Sequence, residues 1–242
     1  MSVETQNYRY LDAEHIVATI DRLGARISER FPQSGLAAVC SELRDVAASA
    51  KDRSIEIGRP MSVLRVSAAL FALTVIVAGI ASAPRLPIIG GQMDVADFIQ
   101  SLEATTNIVV LLGAALFFLV SLETRIRRRK ALAALHELRS IAHIIDMHQL
   151  TKDPERVRPD ATFTDASPRP GLTRLQLLRY LDYCSEMLSL TGKLAALYVQ
   201  RFDDGVAVGS ANEVEQLCTG LSRKIWQKIN IAEGLPDATA TG

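Results

Sequence analysis

The chain has 242 residues, of which 48% are hydrophobic, and its 27 basic and 27 acidic side chains give a net charge of zero. Its three cysteines, Cys40, Cys184 and Cys218, are odd in number and far apart. That excludes a disulfide-stapled scaffold and suits each cysteine to packing as a small apolar residue. The zero total hides the informative pattern, because the basic residues cluster beside two long apolar runs.

Residues 1–60 read as a helical hairpin. Ile16, Ile20, Leu23 and Ile27 fall at steps of four, three and four, one face of a helix over 12–29. Pro32-Gln33-Ser34-Gly35 breaks that helix, and Leu36, Val39, Leu43 and Val46 resume the pattern. Gly58 and Pro60 then interrupt the chain ahead of the first apolar run.

Residues 61–123 are predicted to form a transmembrane hairpin. The first run, 61–83, has 23 residues. As a helix it spans roughly 34 Å, against a hydrocarbon core of about 30 Å. Its one charge, Arg65, lies a turn from the start and can snorkel to the headgroups. The second run, 106–122, has 17 residues, eleven of them Leu, Ile, Val or Phe. These contribute roughly −3 to −7 kcal/mol to insertion as an upper bound. Thr105 and Glu123 can extend this shorter span into the two interfaces. The alternative for both runs is a pair of buried helices in a soluble bundle.

The loop 84–105 carries Pro84, Pro87 and Gly90-Gly91, followed by Val95, Phe98, Ile99 and Leu102 at helical spacing. Residues 94–103 therefore form either a short amphipathic helix on the outer surface or an extension of the second span. Small residues suggest how the spans pack. Ala68 and Ala72, then Gly79 and Ala83, are small-xxx-small pairs, and Asn107, Ala114 and Ser121 recur every seven residues. Such a seam joins the hairpin to itself or to another subunit.

Lys51, Arg53, Arg59 and Arg65 precede or open the first span. Arg125, Arg127, Arg128, Arg129 and Lys130 follow the second, and the loop between holds Arg85 alone among basic residues. The positive-inside rule then places both termini in the cytoplasm. The run begins too far along the chain for a secretory signal. In a bacterium the location would be the inner membrane. Anionic lipid is the natural partner for the basic cluster, at about 1 kcal/mol per residue. The stretch has no aromatic residue on which bases could stack, which argues against nucleic acid.

Residues 124–150 contain no Gly or Pro and are predicted to continue the second span as a cytoplasmic helix along Leu135, Leu138, Ala142 and Ile145. This segment holds the densest polar cluster: His136, His143, Asp146 and His148. On one helix His136 and His143 share a face but stand about 10.5 Å apart, too far to chelate one metal ion. His143 and Asp146, three residues apart, could act together in binding or pH sensing. The plainer account makes these polar surface positions, with Asp146 bonding an imidazole and the face docking a C-terminal helix.

Residues 151–171 include Pro154, Pro159, Pro168 and Pro170 and read as an extended linker. Residues 172–233 form a second helical hairpin. Leu177, Leu181, Cys184, Leu188 and Tyr198 share one helix face, and Val214, Leu217, Leu221 and Ile225 face inward on a helix capped by Ser210 or Asn212. Asp203-Asp204-Gly205 is a turn without the ligands of a calcium loop. Trp226 is a partly buried aromatic, a partner anchor or a membrane-surface contact. Residues 234–242 read as a frayed tail.

The fold expected is thus an all-α membrane protein, a two-span transmembrane hairpin whose cytoplasmic N- and C-terminal helical regions form a small bundle. No GxxxxGK[ST], GxSxG, HExxH or paired CxxC occurs, so the sequence implies no cofactor, metal or catalytic residue. The function it favours is a membrane-anchored interaction or scaffold protein that self-associates or recruits a protein partner through its cytoplasmic helices. An oligomeric pore-forming or membrane-disrupting effector is the alternative, and a membrane-surface enzyme the third.

Overall fold

The computed structural model describes residues 9–82, 95–157 and 171–234. Among these residues the secondary structure is entirely helical: α1 (Ala13–Arg30), α2 (Gly35–Gly58), α3 (Ser62–Ser82), α4 (Val95–Leu150), a 3-10 turn (Pro154–Val157), α5 (Arg174–Val199) and α6 (Gly205–Glu233). The chain divides into two compact units, one containing residues up to Gly58 and from Lys130 onward, the other Arg59–Arg129.

The first unit is a helical bundle. Asp12 starts α1, its carboxylate accepting the Glu14 N–H at 2.8 Å, one of the donors a helix start leaves unpaired. Ile16, Ile20, Leu23 and Ile27 are all buried, as their spacing predicts. After α1, Gln33 takes φ +55°, which reverses the chain into α2. Phe31 closes the corner, meeting Tyr180 edge-on at 5.4 Å and Tyr183 at 6.3 Å between ring centroids.

α5 is the central element and packs against α1, α2 and α6. Its start is a reciprocal cap: the Gln176 N–H donates to Thr173 Oγ1 at 3.3 Å and the Thr173 N–H to Gln176 Oε1 at 2.9 Å. Tyr180, Leu181, Cys184, Met187, Leu188 and Leu194 are buried around its circumference. Leu135, Leu138, Ala142 and Ile145 of α4 join the same core.

Two expectations are corrected here. α6 begins at Gly205, where the Asp204 carboxylate accepts the Ala207 N–H at 3.0 Å, so neither Ser210 nor Asn212 is the cap. The first buried positions of α6 are Ala207 and Ala211, whose small side chains carry too little apolar signal to announce a helix. The predicted linker is also partly structured. Asp153 caps the Glu155 N–H at 3.0 Å, and the 3-10 turn it starts packs on α6 and α5 with Pro154 buried. Proline suits such a first turn because its φ is already fixed. The linker's remainder, 158–170, lies outside the described residues, as do Ala83, the loop segment 83–94 and the tail from 235.

The second unit holds α3 and the N-terminal part of α4. Both are long and apolar enough to cross a membrane, and no residue in their most apolar stretches is buried. α4 is helical from Val95, so the segment read as outer loop up to Thr105 is helical from that point on. Thr105 and Thr106 return their hydroxyl hydrogens to the Ser101 and Leu102 carbonyls, each at 2.8 Å, which keeps these polar groups satisfied within the helix.

The less exposed stripe of α3 runs through Leu64, Ala68, Ala72 and Val75 and so includes the predicted Ala68–Ala72 pair. On α4 the shielded stripe is Leu112, Ala115, Leu116, Leu119 and Leu122. Asn107 and Ala114 of the predicted seam are exposed, and Ser121 is half-buried. Small side chains on one helix leave room for leucines on its neighbour, so one small stripe suffices and the seam of α4 turns outward.

Candidate functional site

α4 places His136 and His143 on its exposed face, where neither is drawn into the core. His148 is half-buried at the end of the helix, and its ring fills the space that a side chain at Gly35 would need. Asp146 does not bond an imidazole. Its Oδ1 accepts from Gln149 Nε2 at 2.6 Å. The predicted cluster therefore separates into two surface imidazoles, one packing imidazole and a carboxylate engaged elsewhere. Among the described residues no three His, Cys, Asp or Glu side chains are placed to hold a metal ion.

The polar knot that does form joins α4 to α6. Gln149 is 1% exposed, and Lys228 Nζ donates to its backbone carbonyl at 2.8 Å. Burial holds the Lys228 ammonium below the usual lysine range, with Asp153 and Asp146 acting against that shift. Sequence reasoning missed Gln149 and Lys228, which lie 79 residues apart with no shared motif. The arrangement ties down a helix end (an open carbonyl met by a cation) and brings no nucleophile or base to a cleft.

The cysteines are buried in the bundle core. Burial pushes the Cys40 and Cys218 thiols up to about 11 and the Cys184 thiol up to about 12. A thiol so placed is protonated at neutral pH and is a poor nucleophile.

At the edge of the apolar hairpin, Glu123 is the organising residue. Arg65 donates to it from Nε at 3.0 Å and from Nη2 at 3.3 Å, and the Met61 N–H donates at 3.2 Å. Arg127 approaches the same carboxylate at 3.6 Å. Met61 immediately precedes α3, so the carboxylate also meets the positive end of that helix. Arg65 and Glu123 are the charges nearest the two apolar runs, a signal in the sequence that they belong together.

The basic cluster has two kinds of members. Lys130 pairs with Glu56 and Arg127 with Glu123, and Arg128 is half-buried. Arg125 and Arg129 are exposed and make no ion pair among the described residues. These two are the positions open to an external anion.

One further feature is a shallow groove of about 370 Å³ along the outer face of α6, lined by Asn212, Glu215, Gln216, Thr219, Gly220 and Arg223. Trp226 stands beside it, 56% exposed. No protein family, curated protein or solved structure matches this chain significantly.

Proposed function

We propose that the protein is a membrane-anchored helical interaction protein. In this reading α3 and the apolar part of α4 cross the bilayer as a hairpin, with the preceding and following helical segments on the cytoplasmic side. The bundle built by those segments self-associates or recruits a protein partner. The observation that carries the proposal is the bareness of the two apolar helices. Phe71, Ile76, Phe117, Phe118 and Val120 are all exposed, whereas the bundle encloses its own core. In water each such side chain would forfeit about 1.5–3 kcal/mol of burial, which lipid supplies. Arg125 and Arg129 then lie where anionic headgroups begin.

The test combines extraction, topology and crosslinking in native membranes. The protein is expected to stay in the pellet after alkaline carbonate washing. Reporters fused at either end should be active only on the cytoplasmic side, and crosslinking should trap a second protein chain. Release into the supernatant, reporters on opposite sides, or an isolated monomer would each overturn the proposal.

A further inference from the structure

We infer that two copies of this chain pair side by side in the bilayer through the apolar part of α4. The seam is Asn107, Leu111, Ala114, Phe118 and Ser121, and the two helices run parallel about a two-fold axis along the membrane normal. The inference rests on the proposed membrane hairpin and deepens it by naming a self-association surface and its occupant, a second copy of the chain.

The five positions follow at steps of four, three, four and three, the spacing of a helix-packing seam. They lie about a third of a turn away from Leu112, Leu116 and Leu119, the side of α4 that is shielded within the chain. Leu111 is 70% exposed and Phe118 61%, Asn107 and Ala114 are exposed, and Ser121 is half-buried. Among the described residues nothing therefore covers this side. His136 and His143, at the same helical phase further along α4, are exposed as well, so the described residues of the bundle leave room there for a second copy.

Asn107 selects the occupant. It lies about 6 Å inward of Glu103 along the helix, on a face where lipid tails offer neither donor nor acceptor. Thr74, Thr105 and Thr106 satisfy their hydroxyls on carbonyls of their own helix, each at 2.8 Å. The Asn107 side chain makes no hydrogen bond among the described residues. A carboxamide both donates and accepts, so it is complementary to a second copy of itself. Such bonds between helices, with small residues that let backbones approach, are what hold spans together where lipid gives no hydrophobic drive.

All copies enter the bilayer in the same direction, so a two-fold axis along its normal sets each seam residue against its own counterpart at equal depth. Asn107 then meets the partner's Asn107, and Ala114 meets the partner's Ala114 at the closest approach. Leu111 and Phe118 interdigitate on either side of it. An antiparallel pair would require opposite insertion and would set Asn107 against the wrong end of the partner span. The seam itself holds no charge to oppose the parallel pair. The next position in phase, Arg125, lies where headgroups begin and anionic lipid can meet both guanidiniums. Lipid covers the apolar residues of α4 outside the seam.

The experiment uses the full chain in native membranes. With a membrane-permeant oxidant, Ala114→Cys is expected to form a disulfide-linked dimer, while the parent chain, with its cysteines buried in the bundle, does not. Val120→Cys is the control, since it is exposed on another side of α4 and should not link. Energy transfer between copies fused to donor or acceptor fluorophores measures the association itself. Asn107→Leu should weaken it about threefold to tenfold, Asn107→Gln should retain most of it, and Ala114→Ile should weaken it about tenfold or more.

If Ala114→Cys links no better than Val120→Cys, or if Asn107→Leu and Ala114→Ile both leave association unchanged, the inference is overturned. Where the protein nonetheless resists carbonate extraction, the membrane anchor stands and only this seam falls. Release of the protein by carbonate removes the anchor and the seam together.

Discussion

Glu123 accepts a forked pair of hydrogen bonds from Arg65 across 58 residues of sequence, at 3.0 and 3.3 Å. The geometry uses the planar guanidinium, which can present two donors in one direction where an ammonium cannot. One end of the pair is buried and the other open: the Glu123 side chain is 8% exposed and that of Arg65 63%. The Met61 amide completes the carboxylate's set of donors, fixing the start of α3 against α4.

Replacing Glu123 by Ala should therefore loosen the hairpin. A fully buried pair broken in this way costs about 3–5 kcal/mol, but the exposure of Arg65 reduces the expected loss to about 1–2 kcal/mol. Arg65→Lys retains the charge and loses the fork, so it should cost less than Glu123→Ala. Thermal unfolding of the purified protein in one detergent, monitored by helical circular dichroism, measures the order. Equal stability of Glu123→Ala and parent would show that the pair does not hold the hairpin.

The buried thiols predict how stability responds to alkali. Each cysteine has a folded value above its ordinary 9.0, at about 11 for Cys40 and Cys218 and about 12 for Cys184. A raised folded value means that the folded state holds its protons more tightly than the unfolded one. The stabilisation is fully present below pH about 9 and is lost as pH rises toward about 12. Lys228 acts in the opposite sense, since its folded value is lowered and its contribution improves stability as pH climbs through the lysine range. Burial raises the Tyr180 and Tyr198 phenols as well, and these act in the same sense as the three thiols and against Lys228, so the net expectation is a fall above pH about 9. The same burial should keep all three thiols from a disulfide reagent at pH 8 until denaturant is added. Rapid labelling of any one in the folded protein would contradict its burial.

The parts of this architecture visible in the sequence are those governed by short-range periodicity. Ile16, Ile20, Leu23 and Ile27 mark the buried face of α1 because a helix repeats every 3.6 residues, and Leu177, Leu181, Cys184 and Leu188 do the same for α5. The apolar lengths of α3 and α4 were equally plain. What periodicity could not supply is the meeting of distant side chains. Lys228 reaches the Gln149 carbonyl across 79 residues, because tertiary packing decides which neighbours arrive. Asp146 bonds Gln149 three residues along the same helix instead of a histidine. The density of histidines in α4 suggested a site, but the helix spreads them over different environments. The Asn107–Ala114 stripe faces outward in the single chain, because a period of seven identifies a stripe without saying which stripe the neighbouring helix covers.

His148 gives the clearest test of that separation, through its contact with Gly35. Gly35 is the first residue of α2, and a Cβ added there would run into the His148 ring, meeting Cε1 first and both ring nitrogens within 3.3 Å. An imidazole is a rigid plane, and this one is half-buried at the end of α4, so it cannot simply swing clear. Gly35→Ala should therefore destabilise the bundle by about 1–2 kcal/mol, even though alanine favours helices more than glycine does. His148→Ala removes the obstacle, so the double variant should be more stable than the sum of the single effects predicts, with a coupling of about 0.5–1 kcal/mol or more. Chemical denaturation of the four proteins yields that coupling directly. A coupling near zero would mean that the ring is free of Gly35 and open to another role, whereas the expected value makes His148 a packing residue between α4 and α2 and leaves His136 and His143 as the only surface imidazoles of that helix.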